Sequence, residues 1–191
     1  MNWIRVICLV SLFFLLASAS FTEEYPLQYF MEKSSLKAYD LSKKERTELL
    51  NQIERVLEQA RQIQLRLTRA IQEGETDIKY QEGRFWMAKL GEDQGSIDSG
   101  LQQVKTLREK PLHLVAAVKL YKSLKDLSFH FHTYNNMSCF CDFIGDVAPE
   151  LELWTDPIFY KLYLLSLAQG KSLEIKTPTK EKKPEVKEKK P

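Results

Sequence analysis

The sequence is poor in the residues from which small sites are built. Three cysteines and three histidines are scattered through 191 residues. No C-x-x-C, H-E-x-x-H or C-x-x-C-H spacing joins them, so the common redox, zinc and haem-attachment arrangements have no motif behind them. The seven glycines form no phosphate-binding loop, and no G-x-S-x-G elbow presents a serine nucleophile. The Glu-x-x-His pairs of di-iron bundles are missing too, because Lys110, Leu127 and Phe129 stand three residues before His113, His130 and His132. These absences leave no catalytic residues to name, and the chain reads as neither an enzyme nor a cofactor carrier.

Charge of one sign is also lacking where it would matter. The formal net charge is +2, but residues 171–191 hold eight lysines against four glutamates. Taking away that +4, and +1 for Arg5, leaves the body from Ser20 to Gly170 at −3. Such a body has no clustered Lys and Arg to neutralise phosphates, which excludes nucleic acid as a partner.

What is present begins with a secretory grammar. Arg5 precedes a mostly apolar run from Val6 to Leu16, and Ala17-Ser18-Ala19 supplies the small residues of a cleavage site. The run is shorter than the ~20 residues that span a bilayer, so residues 1–19 read as a cleavable signal rather than an anchor. The mature chain is then exported, periplasmic or secreted, and cleavage removes Cys8. Cys139 and Cys141 remain. A disulfide between them would close a very small strained ring, and two thiols or a bond between chains are the other outcomes.

The clearest element runs from Ser42 to Glu73. Leu49, Ile53, Val56, Ala60, Ile63, Leu67 and Ala70 recur at alternating spacings of four and three, the period of a helix with a narrow apolar seam. Ser42 and Glu45 make a capping-box pattern, and Gly74 stands where a left-handed C-cap is wanted. Leu50, Leu57 and Ile71 flank the seam, and their exposure would leave it open for dimerisation.

Residues 20–40 form an N-terminal arm. Pro26 there opens a short helix through Leu36, or the arm is irregular and its aromatics cover the end of the bundle. Beyond Gly74, Asp77 is placed to cap a second helix, which four glycines predict to be interrupted near Gly91 to Ser96. Lys110-Pro111 predicts a third helix starting at Pro111, with Leu114, Val118, Tyr121, Leu124, Leu127 and Phe131 as its core stripe. A short helix covers Phe140 to Ile144. Thr155-Asp156-Pro157 predicts an N-cap and first turn for a last helix, apolar nearly all round and therefore buried, that ends at Gly170. From Lys171 the Lys/Glu/Pro composition, with EKKP occurring twice, reads as a disordered tail whose lysines are suited to weak contact with an anionic surface.

The expected fold is therefore all-α: one domain over residues 41–170, a bundle of about four antiparallel helices with a long first helix and a buried last one. The expected function is a non-enzymatic helical binding or scaffolding module of the cell envelope or secreted space. Its partner would be a protein or a second copy, bound through helices, with Phe85, Trp86, Phe140 and Trp154 as candidate anchors. The alternative is a small metal-binding or redox protein using His130, His132, Cys139 and Cys141, four N and S ligands of the type that zinc prefers. Their i, i+2 spacing argues against it, because residues two apart point to opposite sides of a helix. Asn136-Met137-Ser138 also fits a glycosylation sequon.

Overall fold

The computed structural model describes residues 25–76 and 78–169, and among these there is no β-strand. The expected signal, the capping role of Asp77 and the tail lie outside the described residues. Helices α1 (Leu27–Ser35), α2 (Lys43–Glu73), α3 (Tyr80–Glu109) and α4 (Leu114–Asn135) are followed by the short α5 (Cys141–Ile144). A final rod joins α6 (Val147–Leu153), a π-helical segment Trp154–Leu164 and α7 (Leu165–Ala168).

Helix α2 forms as its sequence predicts. The Ser42 hydroxyl accepts from the Glu45 N–H at 3.2 Å while the Glu45 carboxylate accepts from the Ser42 N–H at 2.6 Å, and Gly74 closes the helix at φ 72°. Every seam residue from Leu49 to Ala70 is buried. Leu50 and Leu57 are buried as well, and Ile71 is half-buried. The seam is therefore consumed inside one chain, and of its flanking residues only Ile71 keeps part of its surface in solvent.

The expected break in α3 does not occur: Tyr80 to Glu109 is one helix of 30 residues. Each glycine costs about 1 kcal/mol relative to alanine, but burial of a Leu, Ile or Val side chain returns ~1.5–3 kcal/mol. Leu90, Ile97, Leu101, Val104 and Leu107 are all buried, so packing outweighs propensity. Gly100 has a positive role. A Cβ there would lie 3.0 Å from Leu57 Cδ1 and 3.5 Å from Ser123 Cβ, so the glycine lets α2, α3 and α4 meet at one level.

The helices α2 and α3 run antiparallel, as Arg61 to Asp98 (2.5 Å) and Arg108 to Glu54 (2.5 Å) show in opposing order along the pair. Helix α4 lies along α3 in the same antiparallel sense, with Gly100 against Ser123 and Asp93 against His130 and Tyr134. It starts at Leu114, not at Pro111. The His113 ring nitrogen Nδ1 accepts from the Ala116 N–H at 3.0 Å and caps the helix, while the Pro111 carbonyl is taken by the Tyr163 hydroxyl at 2.9 Å.

The last helix also starts earlier than Thr155-Asp156-Pro157 implied. Helical backbone is already running from Val147, so Asp156 lies inside the rod, and Thr155 donates its hydroxyl to the Leu151 carbonyl at 2.6 Å. Pro157 has no N–H and its ring crowds the carbonyl four residues back; the wider π turn accommodates both. Ile158, Phe159, Leu162 and Tyr163 are buried, as the apolar circumference of this segment requires. Helix α1 lies along the rod: Phe30 is edge-on to Trp154 at 5.8 Å, and the Ser34 hydroxyl donates to the Pro157 carbonyl. The arm is thus helical over Leu27–Ser35, and its Phe30 packs on the rod.

Candidate binding surface

The four proposed anchors divide into core and surface. Phe140 and Trp154 are fully buried and bind nothing outside the chain. Trp86 is half-buried and stitched edge-on to Tyr134 and Phe140, with centroids at 5.9 and 5.6 Å. Only Phe85 of the four stands out into solvent, 54% exposed and edge-on to Trp86 at 4.9 Å.

The histidines and cysteines do not converge. His130 turns toward α3, where its Nδ1 lies 2.6 Å from Asp93 Oδ1, and His132 is exposed two residues further along α4. Cys139 and Cys141 carry thiols rather than a disulfide, and both are half-buried. Among the described residues no group of three His, Cys, Asp or Glu side chains is disposed to hold a metal.

Two buried carboxylate clusters were not legible as such. Asp93 is fully buried between α3 and α4 and accepts the Tyr134 hydroxyl at 2.5 Å besides facing His130. Burial pushes its carboxyl upward against the opposing pull of Tyr134 and His130, and burial beside Asp93 also drives the Tyr134 phenol up. Glu45 behaves in the opposite sense. Burial alone would raise it, but hydrogen bonds from Lys33, Tyr29 and Ser42 outweigh that and hold it at about 2. The hydrogen bond to Glu45 in turn pushes Tyr29 up to about 12. Each cluster lies within the packing of the helices and has a structural role.

Open grooves among the described residues include two between helices. One, of about 570 Å³, lies between the end of α2 and the start of α3 and is lined by Ile71, Gln72, Ile78, Gly83, Arg84 and Met87. The other, of about 520 Å³, lies between α3 and α4 and mixes Glu92 and Asp126 with Lys119 and Lys122.

The distinctive surface is the start of α4. The core face of that helix is Ala116, Ala117, Leu120, Leu124, Leu127, Phe131 and Tyr134, all buried. Leu114 and Val118, expected in the core stripe, are instead 45% and 49% exposed, beside Leu112 and Val115 at 58% each. At about 100° per residue, Leu114, Val118 and Tyr121 share one side of the helix, away from the buried face. The stripe continues to Tyr121 and Tyr160, whose rings are 5.4 Å apart, and ends where Lys125 and Tyr121 both bond to Asp156. Burial would raise Asp156, but those two hydrogen bonds pull it down, and the bond to Asp156 moves Tyr121 up to about 12. The small pair Ala116-Ala117 explains the rotation, because it lets α4 approach its neighbours closely and turns the larger Leu114 and Val118 outward.

Comparison with protein-family models, with curated proteins and with solved structures finds no match for this chain. No described helix is long and apolar enough to cross a membrane.

Proposed function

We propose that this chain is an exported, non-enzymatic helical binding module whose recognition surface is the exposed apolar stretch Leu112–Val118, from the turn before α4 into its first turns. One observation carries the reading: four large aliphatic side chains within seven consecutive residues, Leu112, Leu114, Val115 and Val118, stand about half-exposed at the start of one helix. Large apolar side chains grouped on a surface mark sites of contact, whereas single ones are ordinary. Export is supported by the Arg5, Val6–Leu16 and Ala17-Ser18-Ala19 pattern. The absence of any motif for nucleophilic, metal or phosphate chemistry supports a role in binding.

The reading is tested with a photo-cross-linking amino acid placed at Val115, and at Lys105 as a control, in the chain produced by an exporting host. A discrete adduct from position 115 that is missing from position 105 is the expected result. Equal labelling from the two positions, or none from either, contradicts it.

A further inference from the structure

We propose that the Leu112–Val118 face docks on the surface of an anionic phospholipid bilayer, with the lysines of residues 171–191 supplying the electrostatic attraction. The inference rests on the binding-module reading and names the partner of that same surface.

The form of the surface points this way first. Leu112, Leu114, Val115 and Val118 lie at the turn between α3 and α4, at one end of the bundle, and line neither of the grooves described above. A partner helix needs a groove; a bilayer needs a few apolar side chains that reach below the headgroups. The size agrees. Together the four side chains expose on the order of 400 Å², about half of the ~800 Å² that each partner contributes to a standard protein interface. That is too little for a stable dimer by itself, but shallow membrane insertion assisted by charge works at this scale.

The path of the chain supplies the charge. The Tyr163 hydroxyl is bonded to the carbonyl of Pro111, next to Leu112, and Ser166 and Leu167 share a crevice with Pro111. The final rod therefore ends beside the apolar turn, and residues 170–191 follow it in the sequence. They carry eight lysines against four glutamates. At up to about 3.5 Å per residue, the segment is long enough to lie over the same plane as the turn. Along the face itself Lys119 follows Val118, whereas Lys122 and Lys125 are paired with Asp126 and Asp156, and Glu109 stands before the turn, so the attraction falls mainly to residues 171–191. Lysine stems can lie along the apolar surface with their ammonium groups at headgroup level. A small apolar insertion or a basic segment alone gives weak, reversible attachment, and the two together give stable binding.

The test is flotation of the exported chain with phosphatidylcholine vesicles, pure or containing about one-third phosphatidylglycerol. Binding to the anionic vesicles at about 0.1 M salt, release at about 0.5 M and no binding to the neutral ones are expected. Leu112→Ser/Val115→Ser, and separately Lys180→Gln/Lys182→Gln/Lys183→Gln/Lys187→Gln, should each lower the bound fraction at least about fivefold. These positions are exposed or outside the described residues, and an unchanged urea midpoint verifies that each variant is folded. Leu112→Trp should show blue-shifted emission with anionic vesicles alone. Equal binding to both vesicle types, or unchanged binding of the serine variant, overturns the proposal. A dimer dissociated by Leu112→Ser/Val115→Ser would give the face to a second copy, overturning the membrane inference while leaving the binding-module reading intact. Failure to bind vesicles, to dimerise and to cross-link from Val115 would overturn both.

Discussion

Asp93 and Glu45 are both buried carboxylates, and their surroundings push them in opposite directions. Glu45 is lowered from 4.5 to about 2, so its contribution to stability is complete above its unfolded value and is lost as pH falls through about 2. Glu45→Gln keeps a residue able to complete the capping box but removes the charge. It should cost up to about 3 kcal/mol at neutral pH and flatten the acid limb of a urea-midpoint profile measured between pH 2 and 7. Asp93 is raised, so what it contributes is complete below its unfolded value and is lost as pH rises through its folded one. Asp93→Asn should therefore gain on the wild type as pH increases, with its carbonyl still accepting the Tyr134 hydroxyl. Asp93→Ala should lose about 2–3 kcal/mol, because it strands that buried hydroxyl and leaves a cavity. Urea unfolding of both variants at pH 4 and pH 7 checks the sign. Neither cluster was legible in the sequence, since Tyr29, Lys33 and Glu45, or Asp93, His130 and Tyr134, come together only when separate helices pack.

At the scale of elements, the glycines of α3 divide by what surrounds them. Nothing lies within 4 Å of a Cβ built at Gly91 or Gly95, so alanine at either position should stabilise by about 0.5–1 kcal/mol through helix propensity. At Gly100 the same change meets buried Leu57 and should destabilise by about 1 kcal/mol despite the better propensity. Thermal unfolding of the three single variants gives the comparison. Helix α2 was readable from sequence because its seam, its capping box and Gly74 all specify the same boundaries. The sequence of α3 predicts an interruption because single-residue glycine costs are visible in it, whereas the burial of Leu90 and Ile97 that outweighs them is not. Pro157 misled in a similar way: it marks a first helical turn by propensity, but here a helix already begun at Val147 widens to contain it.

At the scale of the whole molecule, one chain buries the α2 seam, the rod and α1 within itself and leaves the start of α4 outside. That surface was hidden in the sequence by its own resemblance to a core. Leu114, Val118 and Tyr121 lie at helical spacing and are larger than Ala116 and Ala117, yet the small pair faces inward and the large residues face out. Core and surface separate on this one helix, and Leu114→Ser/Val118→Ser set against Leu120→Ala reads that separation by urea unfolding combined with vesicle flotation. The double serine variant should stay within about 0.5 kcal/mol of the wild type and lose binding, while Leu120→Ala should lose about 2–5 kcal/mol. Destabilisation of the serine variant by several kcal/mol would assign Leu114 and Val118 to the core, and a stable serine variant that still binds would move the docking surface elsewhere.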